Sequence, residues 1–202
     1  MNLRITAAIV LIITSATAAP DVPAFVNGKI QAYTAEGSPK SKGVTLKLSY
    51  PEGWMAKEGQ GPNIVQKFIS GQGGGLECIS ILIKPLPKEW TPEVIASGFS
   101  AEGVNDLLEA FAEGGKGISA KSTKIEGLPA AILEFTNTGE RLGLVIKSRT
   151  MTCVFPYKSN LISIAFSVNS ANRDDDIDQI FEGNRTLFMA IANTISLPEK
   201  WK

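Results

Sequence analysis

The sequence predicts an α+β domain, with a mostly antiparallel β-sheet and helices packed on its faces. Several segments alternate apolar and polar residues with the period of a half-buried strand. Two further segments carry apolar residues at helical spacing. The strands are grouped instead of alternating strictly with the helices, which favours α+β over a parallel α/β fold. A chain of 202 residues is typical of one domain.

The first half of the chain predicts three strands. Residues 44–50 alternate cleanly, and Pro51 ends this strand. Residues 64–70 and 76–84 predict a hairpin, because a glycine-rich run joins two apolar segments.

Two helical segments follow. Thr91 can cap a helix that has Pro92 at its first position, and Gly98 interrupts it. A second segment starts after Ser100 and ends at Gly114. Its apolar residues recur at helical spacing, namely Val104, Leu107, Leu108 and Phe111.

The second half predicts a meander and a final helix. Strands are expected at residues 119–126, 130–136, 142–155 and 161–168. Residues 137–140 are expected to form a turn. The last helix should begin near Asn172 or Arg173, and Pro198 lies beyond its apolar stripe.

The N-terminus predicts a signal peptide over residues 1–18. Arg4 precedes an apolar run at residues 5–14, which is too short for the ~20 residues of a membrane span. The small residues before Ala19 predict cleavage after Ala18. We therefore expect an exported protein, periplasmic or extracellular, without an integral membrane anchor. The alternative is an uncleaved apolar helix.

The remaining chain divides into two parts. Residues 19–43 are rich in Pro, Gly, Ser and Lys and predict a mobile leader, in which residues 25–33 could form an edge strand. Residues 44–198 predict the single α+β domain.

Composition excludes several classes of function. Twenty basic residues face 20 acidic ones, so the basic excess typical of nucleic-acid binders is missing. The chain has no histidine, which removes Ser-His-Asp and Cys-His catalysis and most zinc and copper sites. We expect no cofactor.

Cys78 and Cys153 are the two cysteines of the chain. An even count in an exported protein predicts a disulfide between them. The alternative is a pair of buried thiols that behave as small hydrophobic groups.

The glycine-rich run between the two hairpin strands is a candidate binding loop. Its members are Gly71, Gln72, Gly73, Gly74 and Gly75. Glycines order at a high entropic cost, and a mobile loop on a rigid sheet is a common place for partner contact. The alternative is merely a loose hairpin. A phosphate cradle is not favoured, because no helix follows the run.

Acidic and aromatic residues offer further candidates. The cluster at residues 174–178 predicts helix capping in preference to a calcium site. Carboxylate-pair catalysis stays open, with Glu77, Glu134 and Glu140 as its candidates. Trp54 and Trp90 could line a ligand groove or cover the edge of the core.

Two sequence matches indicate a family. The strand at residues 44–50 runs into Pro51-Glu52-Gly53-Trp54, and Ile125-Glu126-Gly127-Leu128-Pro129-Ala130 precedes the long meander. With a C-terminal apolar helix ending at residues 195–198, this order resembles the PsbP-like superfamily. That group includes the photosystem II subunit PsbP, DcrB-type secreted proteins and a nuclear Ran-binding factor.

The resemblance covers residues 44–198 and implies helices on a sheet, a non-catalytic role and no shared catalytic residues. We therefore expect an exported accessory or binding protein that acts on another protein or an envelope component. The first alternative is a carrier of a small apolar ligand between sheet and helix. The second is a carboxylate-based hydrolase.

Overall fold

A seven-stranded sheet, antiparallel at every strand pair, forms the centre of the computed structural model, which describes residues 22–71 and 75–202. Its strands lie in the order β3-β4-β5-β9-β8-β7-β6. They are β3 (Met55–Glu58), β4 (Ile64–Ile69), β5 (Glu77–Pro85), β6 (Lys116–Ile125), β7 (Leu128–Arg141), β8 (Leu144–Tyr157) and β9 (Asn160–Ser170). The predicted α+β class with a mostly antiparallel sheet is confirmed.

A separate hairpin and four helices complete the described structure. The hairpin pairs β1 (Ile30–Ala35) with β2 (Leu46–Pro51). The helices are α1 (Val22–Val26), α2 (Pro92–Gly98), α3 (Val104–Ala112) and α4 (Ile177–Ala192). Thr91 caps α2 as predicted, since its hydroxyl accepts the Val94 amide.

One face of the sheet, the closed face, carries most of the core. Strand alternation places Ile79, Ile81 and Ile83 of β5 on this face, and each is fully buried. Helix α4 covers it with Phe181 and Phe188, and the β1–β2 hairpin covers the rest. This face is therefore sealed by two elements that lie far apart in sequence.

The opposite face is covered over only part of its width. Helix α3 packs on β6 and β7, where Leu107 and Leu108 meet Leu133 and Phe135. Over β5 on the same face α3 contributes Phe111, whose ring centre lies 5.8 Å from the Lys84 ammonium, and much of this face of β4, β5 and β9 stays open to solvent. We call this uncovered part the open face.

The strands differ from prediction at β3 and at the turn between β7 and β8. Strand β3 was not predicted, because its four residues are all exposed and show no alternation. Residues 137–140 do not turn but continue β7 to Arg141. The turn instead falls at Leu142 and Gly143.

The segment predicted as a mobile leader is partly packed. Phe25 of α1 is buried in the main core, and α1 contacts α4. The edge strand forms as β1, somewhat later than expected, and Ala35 is also buried. Apolar burial thus holds residues 22–35 against the domain. The predicted signal peptide lies outside the described residues, and no helix among those described is long and apolar enough to cross a bilayer.

Candidate binding site

The open face forms a trough floored by small polar side chains. Alternation on β5 and β9 sends Ser80, Ser163 and Ser167 to this side, opposite the apolar residues of the closed face. Strand β8 adds Thr150 and Thr152, which are buried at the floor. A sheet face that helices cover is usually apolar, whereas this uncovered face is rich in hydroxyl groups.

Two cavities lie along this trough. The larger, of about 420 Å³, is lined by Lys67, Ile69, Gly75, Leu76, Cys78, Ser80, Ile146, Ser167, Asn169, Ser170 and Ala171. The smaller, of about 230 Å³, is lined by Asn63, Leu82, Lys84, Phe111, Phe135, Thr152, Ser163 and Ala165. Both open to solvent, so the trough is a surface groove and not a deep pocket.

The trough carries positive charge without a matching acid. Lys67 lines the larger cavity and Lys84 the smaller one. Among the described residues neither lysine makes an ion pair, and none of those lining the two cavities is Asp or Glu. The Lys84 ammonium lies 5.8 Å from the centre of the Phe111 ring. An anionic group in the trough would therefore meet two cations, and Asp175, bonded to Ser170 of the larger cavity's lining, is the carboxylate adjacent to it.

Cys78 lies on the trough floor. Both cysteines are free, so the predicted disulfide is absent. Cys78 pairs with Ser167 of β9, whereas Cys153 pairs with Ile164 on the other face of that strand. Strand β9 separates the two cysteines, which puts their Cα atoms at least about 9 Å apart at ~4.8 Å per strand. A disulfide needs less than ~7 Å.

The two thiols lie in different environments. Burial raises the pKa of the Cys153 thiol to about 12. Burial also raises the pKa of the half-buried Cys78 thiol, while a hydrogen bond with Ser80 and the charge of Lys67 act against that shift. Cys78 is consequently the thiol of the pair that a reagent in the trough can reach.

The predicted glycine loop ends at the trough. Gly75 lines the larger cavity, and its amide donates to the Ser70 carbonyl at 3.0 Å, closing the base of the loop. Gly71 adopts a left-handed conformation with φ of 55°. Gln72, Gly73 and Gly74 lie outside the described residues, so their role in binding stays a prediction.

A buried ion-pair network lies on the closed face. Glu134 of β7 accepts hydrogen bonds from Arg149 of β8 at 2.9 Å and from Arg185 of α4 at 2.9 Å. Arg149 is 4% exposed and Glu134 7% exposed. Arg149 also lies 3.3 Å from Asp178, and its guanidinium is stacked 4.7 Å from the Phe181 ring centre. The network joins α4 to the sheet.

The candidate catalytic carboxylates do not converge. Glu134 is neutralised by two arginines, and the exposed Glu140 lies on the β7–β8 hairpin. Glu77 accepts hydrogen bonds from Ser70 and, at 3.2 Å, from Asn184 of α4. None of the three lines either trough cavity.

The acidic cluster supplies the cap of α4, as predicted, but the helix begins at Ile177, later than the predicted Asn172 or Arg173. Asp176 is the N-cap residue and accepts the Gln179 amide at 3.0 Å. Asp175 instead accepts from Ser170 and Asn172. These bonds give Asp175 and Asp176 structural roles at the start of the helix.

Trp54 and Trp90, the two candidate tryptophans, each cover an edge of the core. Trp54 packs against the main core and Trp90 against the smaller core beneath α2. Each also lines a shallow surface depression, of about 280 Å³ at Trp54 and about 560 Å³ at Trp90. The sequence could not distinguish a ring that covers the core from one that lines a groove, and in the structure each ring does both.

The trough itself was not predicted from sequence. Its signal was present, because Cys78, Ser80 and Leu82 alternate with the buried isoleucines of β5. Such alternation marks only a less apolar side of a strand. Which side the helices cover is decided by tertiary packing.

No protein-family profile matches the chain, and no curated protein sequence is significantly similar to it. Solved structures are similar in backbone arrangement at low identity. LpqN, described as involved in cell envelope biogenesis of Mycobacterium tuberculosis, is 16% identical, with 85% of this chain and 93% of LpqN covered and a TM-score of 0.45. The Saccharomyces cerevisiae Ran-binding protein Mog1p is 9% identical, with 83% and 96% covered and a TM-score of 0.47. A Mog1 mutant gives 10% identity, the same coverage and a TM-score of 0.48.

These values describe a distant similarity of backbone arrangement. None of the three structures is described as a PsbP-type protein, so membership of the PsbP-like superfamily stays a prediction. The functional argument therefore depends on the residues of this chain.

Proposed function

We propose that this chain is an exported, non-catalytic binding protein whose trough holds an extended acidic segment of a partner protein. The observation that carries the proposal is the open face, where hydroxyl groups and two lysines without ion-pair partners line a groove that contains no described carboxylate. An acidic segment supplies the charge that this surface lacks. Ser and Thr hydroxyls can donate to or accept from a peptide backbone.

The dimensions suit an extended peptide. Lys67 is paired with Ser80, and Lys84 lies four residues further along β5. Four residues of strand plus one strand spacing give roughly 14 Å between the two lysine Cα atoms. An extended peptide with acidic residues four positions apart spans the same distance. The Phe111 and Phe135 rings beside Lys84 offer an apolar wall to the side chain between them.

The alternatives receive less support from the geometry. A carrier needs an enclosed apolar pocket, and both trough cavities are open. A hydrolase needs two carboxylates facing one cleft, whereas Glu134 is held by Arg149 and Arg185 on the closed face.

The test uses short synthetic peptides with two glutamates four residues apart, and the same peptides with glutamine in place of glutamate. We expect the acidic peptides alone to bind and to slow the modification of Cys78 by a thiol reagent, because that thiol lies on the trough floor. Lys67→Gln and Lys84→Gln should each weaken binding by up to about fivefold, the value of an exposed ion pair. Lys121→Gln, on exposed β6, is the matched control.

Equal binding of the acidic and neutral peptides would overturn the proposal. So would acidic peptides that bind without protecting Cys78, since binding would then lie elsewhere on the surface.

A further inference from the structure

The β7–β8 hairpin extends beyond the rest of the sheet. Strand β6 last pairs with β7 at Thr136, and β9 last pairs with β8 at Lys147. Beyond those positions, residues 139–141 and 144–146 pair only with each other. At about 3.4 Å per residue, the hairpin projects by roughly 15 Å.

The end of this hairpin is apolar and exposed. Leu142 at the apex is 94% exposed, and Leu144 and Val145 are 56% and 50% exposed. Because consecutive strand residues face opposite sides, Leu144 and Val145 lie on the two different faces of the hairpin. We call these three residues the tip. Apolar side chains therefore lie at the apex and on both faces of the hairpin end.

Leucine at the apex is locally unfavourable. Leu142 and Gly143 have φ of 53° and 76°, the signature of a type I′ turn. Such turns favour Asn or Gly at the first central position, because a bulky side chain fits the left-handed region poorly. No contact in the fold requires leucine here, since its side chain is almost entirely in solvent.

We propose that the tip inserts into the surface of a lipid bilayer. A partner protein would contact one face of the hairpin, whereas a lipid surface surrounds an inserted tip and accepts apolar side chains on all sides. Three aliphatic side chains also fall well short of the ~800 Å² per partner that a stable protein interface buries. The inference is independent of the trough, which lies on one face of the sheet only.

The charges near the tip set the depth of insertion. Lys147 and Arg173 line the same depression as Leu144 and Val145, and the Lys147 ammonium donates to the Arg173 carbonyl at 3.3 Å. Asp174 and Asp175 directly follow Arg173, so the charge at this height is mixed and gives no net attraction to lipid phosphates. Glu140 is exposed two residues before the apex and limits insertion to the headgroup region. Apolar contact, more than charge, therefore stabilises the bound state.

The experiment compares wild type with Leu142→Asn in flotation with vesicles of phosphatidylcholine and phosphatidylglycerol. Asparagine suits the turn position, so thermal stability should stay equal or rise. Vesicle affinity should fall about tenfold or more, because the apex side chain no longer transfers into the lipid. Val94→Gln, which removes an exposed apolar residue of α2, should bind as wild type does. The variants share one N-terminus, so their difference isolates the tip.

Three results would overturn the inference. The first is wild-type protein that does not float with vesicles, and the second is Leu142→Asn that binds as tightly as wild type. The third is a concentration-dependent dimer in analytical ultracentrifugation that Leu142→Asn abolishes, because the tip would then be a contact between two copies of the chain.

Discussion

Replacing Glu134 by glutamine should destabilise the protein strongly, because it leaves Arg149 buried with less compensating charge. Glu134 accepts hydrogen bonds from both Arg149 and Arg185, and all of these groups lie beneath or on α4. Breaking a buried ion pair from one side costs about 3–5 kcal/mol. We expect about 3 kcal/mol, the lower end of that range, since Asp178 remains 3.3 Å from Arg149.

Urea denaturation measures this loss directly, and for a chain of this size it corresponds to a fall in Tm of roughly 6–12 °C. Glu182→Gln is the matched control, because Glu182 contacts the same two arginines but is half-exposed. The control should cost less than about 1 kcal/mol. If the two variants lose the same small amount, Glu134 does not anchor α4 to the sheet.

Two further predictions concern the reactivity of the two thiols and the stability of the protein at acid pH. A thiol reagent should react with one equivalent of thiol in the native protein, at Cys78, and with a second only after unfolding exposes Cys153. No reaction in the native state, or reaction of two equivalents at once, would contradict the assignment of Cys78 as the accessible thiol. Hydrogen bonds from Arg185 hold the pKa of Glu182 below its usual range, so this group contributes stability above the unfolded pKa of ~4.3 that is lost as pH falls further. Urea midpoints from pH 5 to pH 3 should thus fall slightly less steeply in Glu182→Gln than in wild type, and parallel curves would contradict this.

Strands with regular alternation could be predicted from the sequence. In β5 the isoleucines at 79, 81 and 83 alternate with Cys78, Ser80 and Leu82, and the structure buries the first set completely. Local capping was equally predictable, as at Thr91 and Asp176, because the signal lies within four residues.

Features that depend on tertiary packing could not be predicted. Residues 149–155 of β8 are buried on both faces, so their alternation is hidden and the face of Cys153 could not be assigned. The disulfide prediction was wrong for this reason, since cysteine count carries no information about register. Residues 137–140 contain Asn and Gly, which predict a turn, yet pairing with β8 extends the strand through them.

The open face follows from the size of α3 relative to the sheet. A helix is about 10 Å across and strands are ~4.8 Å apart, so one helix covers about two strands. Helix α3 covers β6 and β7, and α2, the other helix of the segment 86–115, packs on α3. An exposed sheet face usually carries many long charged side chains, which keep other chains away from the backbone. Here Lys67 and Lys84 are the charged side chains that line the two cavities, and the floor carries Ser80, Ser163 and Ser167, which leave the groove accessible. A short helix on a wide sheet thus creates the groove, and small hydroxyl residues keep it open for an extended partner segment.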